Sequence, residues 1–67
     1  CAPSTDKLID QYEAALKAAD LEEAREVAAE LEKVKDTFTE EQEERVTELV
    51  FGHAMLEMAG DLKDKGL

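Results

Sequence analysis

The stretch TEEQEERVTELVFGHAMLEMAG, residues 39–60, decides the architecture. It opens on a helix start. Thr39 followed three residues later by Gln42 forms a capping box, in which each side chain satisfies an end amide of the other. Beyond it, at 3.6 residues per turn, Val46, Leu49, Val50, His53 and Leu56 fall on one face. Phe51, Met55, Met58 and Leu62 form a second stripe with 4-3-4 spacing. It is rotated by well over ~90° from the first. The first half, EEQEERVTEL, is charged on every side but one, and the second, VFGHAMLEMAG, is apolar nearly all round. A helix of that kind is expected to be buried on two sides. The pattern predicts a long third helix from about Glu40 to about Leu62. That helix either lies in a groove between two others or gives its second stripe to another molecule.

Upstream, the chain holds a helical hairpin. Ser4, Thr5 and Asp6 are competent N-caps after Pro3, which has no backbone donor. Leu8, Ile9, Tyr12, Ala15, Leu16 and Ala19 then mark one apolar stripe. Asp20 ends this run and starts the next, and DLEE (20–23) reads as a second capping box between Asp20 and Glu23. Leu21, Ala24, Val27, Ala28, Leu31 and Val34 form the second helix's stripe, with Lys33 and Lys35 in its last turn. So short a link makes the pair antiparallel. Gly60 and Gly66 are expected C-terminal stops. The expected organisation is a tether over residues 1–5, a three-helix domain over 6–63 and a frayed tail over 64–67.

Composition sets the remaining bounds. A chain of 67 residues is one domain at most. A core that small usually needs a staple. One cysteine gives no internal disulfide, and no Cys/His cluster offers a structural zinc site. Regular helix packing or association with another chain remains. Eight basic against 18 acidic residues give a net charge of -10, which repels nucleic-acid phosphate and anionic lipid headgroups. No apolar run approaches the ~18–20 residues that span a bilayer.

Chemistry-bearing motifs are sparse. His53 and Glu57 have the i,i+4 spacing of a metal pair, but two ligands make a weak site, and a structural histidine is the plainer reading. There is no HExxH, EF-hand loop, phosphate-binding glycine loop or nucleophile elbow. Cys1 lies outside the helices with no base fixed beside it. The carboxylates sit on solvated faces, with no cleft to set one pKa against another. No catalysis, cofactor, metal or small-molecule substrate is expected. YEAALKAADLEEA (12–24) has the spacing of a tetratricopeptide helix pair, but no second copy of the repeat occurs. Gly52, inside the third helix, reads either as a tolerated surface glycine or as a point where another helix comes close.

The opening CAPST (1–5) resembles the mature start of bacterial lipoproteins, whose first cysteine carries the lipid and is followed by small and polar residues. The layout is similar to that of small all-helical envelope lipoproteins. The resemblance implies lipid attachment at Cys1, membrane contact only through that lipid, and a cell-envelope location. The chain lacks the single long heptad repeat of the murein-bound type.

The sequence thus predicts an all-α, three-helix bundle: a helical hairpin plus a longer third helix. Its expected role is a non-catalytic envelope lipoprotein domain with a structural or protein-interaction function. Phe51, Met55, Met58 and Leu62 are the expected interface, most simply in a two-fold homodimer. The alternative is a soluble acidic helical module that sequesters a basic partner or mimics nucleic acid.

Overall fold

Ser4 starts the first helix. Its hydroxyl accepts from the Lys7 amide at 3.2 Å, and α1 runs over Thr5–Lys17. In the computed structural model the backbone is described for residues 4–64 and side chains for residues 4–60. α1 ends in a tight left-handed closure. The Ala19 amide bonds Leu16 O at 3.0 Å, and the Asp20 amide bonds Ala15 O at 2.8 Å. These two bonds define a Schellman motif, with Ala19 at φ 56° in the position usually held by glycine. Ala19 therefore leaves the apolar stripe expected of it and forms the turn.

Asp20 then caps α2, Leu21–Lys33, by accepting from the Glu23 amide at 3.2 Å. Only half of the expected capping box forms, because the Asp20 amide is already bonded to Ala15 O. Val34 and Lys35 fall beyond the end of α2. Val34 is its C-cap, and Lys35–Thr37 form a single 3-10 turn. The second capping box is complete. Thr39 N donates to Gln42 Oε1 at 2.9 Å, Gln42 N donates to Thr39 Oγ1 at 3.2 Å, and α3 follows as Glu40–Asp64. Gly60 does not stop this helix, since nothing there draws the backbone into a left-handed turn.

The fold is all-α: an α1–α2 hairpin with a longer α3 laid against it. Among the described residues its core comes wholly from the hairpin. Leu8, Ile9, Tyr12 and Ala15 of α1 pack against Ala24, Val27 and Leu31 of α2. α3 closes one side of this layer with half-buried Val46 and Leu49, and Phe38 folds in from the preceding loop. Gln42 Nε2 donates to Asp6 Oδ1 at 2.9 Å, and Arg45 Nη2 donates to Asp10 Oδ1 at 3.1 Å. These ties set α3 parallel to α1. At ~1.5 Å per residue α3 is roughly 37 Å long, almost twice the length of either hairpin helix.

α3 packs chiefly on α1 and touches α2 less. Two expectations about its faces change as a result. Val50, assigned to the inner stripe, is 49% exposed, because the flank of α3 toward α2 is left open. Nor does α3 lie in a groove that buries both of its stripes within the chain, because the hairpin offers only one layer to pack against.

Candidate functional site

Two features of α3 bear on function: a polar cluster on its inner side and an apolar surface on its outer side.

The polar cluster joins all three helices. Tyr12 Oη of α1 lies 2.7 Å from His53 Nδ1 of α3, with the rings edge to face at 75°. His53 Nε2 lies 3.0 Å from Glu57 Oε1, one helical turn on. The same carboxylate oxygen accepts from Arg25 Nε of α2 at 3.1 Å. The Glu57 contact with His53 is close but poorly aligned with the ring N–H, so Nε2 has no well-directed partner. A carboxylate beside Nε2 favours the tautomer with its proton there. Nδ1 is then the acceptor, and the Tyr12 hydroxyl donates to it. Burial pushes the Tyr12 hydroxyl above its ordinary range, and the Glu57 charge adds to that. Glu57 is held below the usual carboxylate range, first by its hydrogen bond from Arg25, with desolvation opposing and the Arg25 charge and the nearby His53 ring adding to the depression.

His53 and Glu57, the pair with metal-ligand spacing, already face Tyr12 and Arg25. Among the described residues no group of three or more His, Cys, Asp or Glu side chains converges. Tyr12 and Arg25 had no local signal linking them to this pair, since they lie 41 and 32 residues from their partners.

The outer surface is of a different kind. Phe51, Met55 and Met58 are 69, 73 and 65% exposed. Leu62, the fourth member of the expected interface, has its side chain outside the described residues, and so does Cys1. Exposing three such side chains on one helix is unusual, because each is worth about 1.5–3 kcal/mol when fully buried. Between Leu49 and Gly60 the only ionisable side chains on α3 are His53 and Glu57, both on the inner side.

Beside this surface lies an open groove between α1 and α3, about 440 Å³ in volume. Leu16 of α1 and Leu49, Gly52, Met55 and Leu56 of α3 line it, and Met55 is shared with the outer surface. A Cβ added at Gly52 would meet nothing within 4 Å. The fold of this chain therefore does not require glycine there, although glycine in a helix costs about 0.5–1 kcal/mol relative to alanine.

The N-terminal half of the same outer side is acidic. Glu40, Glu43, Glu44 and Glu48 cluster around Thr47. None of these four forms an ion pair among the described residues, whereas Glu13, Glu30, Glu32 and Glu57 do. Among the described residues no helix is long and apolar enough to cross a membrane. No protein-family model, curated protein or solved structure matches this chain.

Proposed function

We propose that this chain is a non-catalytic interaction domain, the helical part of a small envelope lipoprotein held at a membrane through a lipid on Cys1. Its working surface is the outer side of α3. The observation that carries this reading is the exposure of Phe51, Met55 and Met58 on a helix whose other side already closes the fold. Large apolar side chains gathered on one face mark a contact surface more than a solvated one. Methionine suits such a face because its unbranched thioether adapts to the partner's shape. The polar cluster supports the same reading. Through Tyr12, Arg25 and Glu57 it fixes α3 in rotation on the hairpin, so the outer side is presented in one orientation. Attachment at Cys1 is supported by the resemblance of CAPST to the start of envelope lipoproteins.

The experiment is in-cell photo-cross-linking from position 51, with a benzophenone side chain in place of Phe51, alongside the intact mass of protein extracted from native membranes. The reading expects a discrete cross-linked species and an acylated Cys1. Absence of any cross-link from position 51 contradicts the interaction role, and an unmodified Cys1 thiol contradicts the anchor.

A further inference from the structure

We propose that the α1–α3 groove at Gly52 receives the apolar side of a cationic amphipathic helix from another protein, and that Glu44 and Glu48 pair with that helix's Lys or Arg side chains. The inference rests on the interaction role of α3 and names the partner's chemistry.

Three observations converge. First, the groove is apolar and unfilled, and its floor is a glycine that nothing inside the chain requires. A missing Cβ in a helix lets another backbone or a bulky side chain approach closely. Leu16, Leu49, Met55 and Leu56 around that floor would grip apolar anchors at helical spacing, the helix-in-groove mode of recognition.

Second, the groove continues into uncompensated acid. At ~100° per residue, Glu44, Glu48, Phe51 and Met55 fall within roughly 60° of one another around α3. A helix laid along this line meets apolar surface at one end and carboxylates at the other. Glu44 and Glu48 lie beyond the first turn, where acidic side chains still gain from the helix dipole. They form an i,i+4 like-charge pair, which destabilises a helix. No cation of the described residues forms an ion pair with either carboxylate, Arg45 turning inward to Asp10 and Glu13. At the groove itself Glu13 is met by Arg45, while Glu48 stands beside Lys17 without an ion pair to it.

Third, the charge disfavours a second copy as occupant. Each chain carries -10. A two-fold pairing with α3 parallel to its copy would bring the Glu44 and Glu48 sides of two such chains together, and an antiparallel one would still join two acidic chains; like charges across an interface select against that partner. A cationic helix has the opposite balance and is also steered toward the site.

The test uses three peptides of equal length. One is a Leu/Lys peptide with leucines at i, i+3, i+4 and i+7, the second its Leu/Glu counterpart, and the third a Ser/Lys peptide of the same charge. Binding is titrated by fluorescence anisotropy against the wild-type chain, Gly52→Leu and the Glu44→Gln/Glu48→Gln double variant. Circular dichroism checks that each variant is folded. A Cβ at position 52 meets nothing within 4 Å, so Gly52→Leu can extend into the groove, and leucine is the better helix former. The expected result is selective binding of the Leu/Lys peptide, weakened roughly ten- to a hundred-fold by Gly52→Leu, as for loss of one anchor. The double glutamine variant binds more weakly and loses part of the salt dependence. Equal affinity of wild type and folded Gly52→Leu overturns the groove as the site. Equal affinity for the Ser/Lys and Leu/Lys peptides reduces the contact to general attraction and also overturns it. A wild-type dimer in sedimentation that Gly52→Leu dissociates assigns the groove to a second copy and overturns the cationic partner. Each of these results leaves the interaction role of α3 standing if position 51 still cross-links, and that role fails if it does not.

Discussion

Tyr12 Oη and His53 Nδ1 meet at 2.7 Å across the α1–α3 interface. This contact sets which side of α3 faces inward. Tyr12 is 1% exposed and belongs to the hairpin core, so its hydroxyl is the one polar group projecting from that core toward α3. A phenol so placed needs a partner. His53 is the α3 side chain within reach, and with it engaged, Val46 and Leu49 face in while Phe51 and Met55 face out.

Tyr12→Phe should therefore destabilise the domain by about 1–2 kcal/mol. The hydrogen bond is lost, and a largely buried imidazole nitrogen is left unpaired. Urea denaturation of the variant checks this. A midpoint equal to wild type would mean that water replaces the hydroxyl at no penalty.

Glu57 predicts a pH dependence with a definite sign. Its folded-state pKa is depressed, by the Arg25 hydrogen bond first. Its stabilisation is therefore present above the ordinary carboxylate pKa and is lost as pH falls through the depressed value. Protonating the other carboxylates relieves repulsion in a chain of net charge -10 and works in the opposite direction. The difference between wild type and Glu57→Gln isolates the Glu57 contribution. Melting temperatures of the two should differ at neutral pH and converge in acid. A constant difference across the range would show that the Arg25 contact does not matter.

Tyr12 gives the alkaline counterpart. Burial raises its folded pKa, so the folded state favours the neutral phenol. That stabilisation is full below the ordinary tyrosine pKa and disappears as pH rises through the raised folded value. In an alkaline titration, phenolate absorbance should rise together with loss of helical ellipticity. Titration of the phenol in a still-helical chain would contradict this.

Ala19 is strained at φ 56° in the α1–α2 turn. An L-residue there costs about 1–2 kcal/mol, and glycine avoids it while adding unfolded-state entropy. Ala19→Gly should stabilise the domain by roughly 0.5–1 kcal/mol, and the β-branched Ala19→Val should destabilise it. Denaturation midpoints in that order check the left-handed turn.

Much of this fold was legible because its boundaries are local chemistry. Ser4, Asp20 and Thr39 cap helices through bonds spanning three residues, and such bonds can be read from spacing alone. The hairpin stripes were legible for the same reason. Ala19 was not, since alanine gives no sign of a left-handed conformation and its role comes from the hydrogen bonds of Leu16 and Ala15. Gly60 misled in the other direction, as a glycine through which a helix continues. The two stripes of α3 were both visible as periodicities. Phe51, Met55 and Met58 were expected on the outer stripe and lie there, but the Tyr12 and Arg25 contacts that hold α3 so are far away in sequence and were not legible. Val50 was misplaced because its exposure follows from how little of α2 reaches α3.

The account's central claim is that α3 closes the fold with one side and leaves Phe51, Met55 and Met58 outside it. The most direct measurement is the urea denaturation of Met58→Glu. At 65% exposure, Met58 predicts a folded, helical variant within about 0.5 kcal/mol of wild type, as for an ordinary surface substitution. Unfolding, or a loss of several kcal/mol in a chain that sediments as a monomer, would place Met58 in the core and contradict the claim.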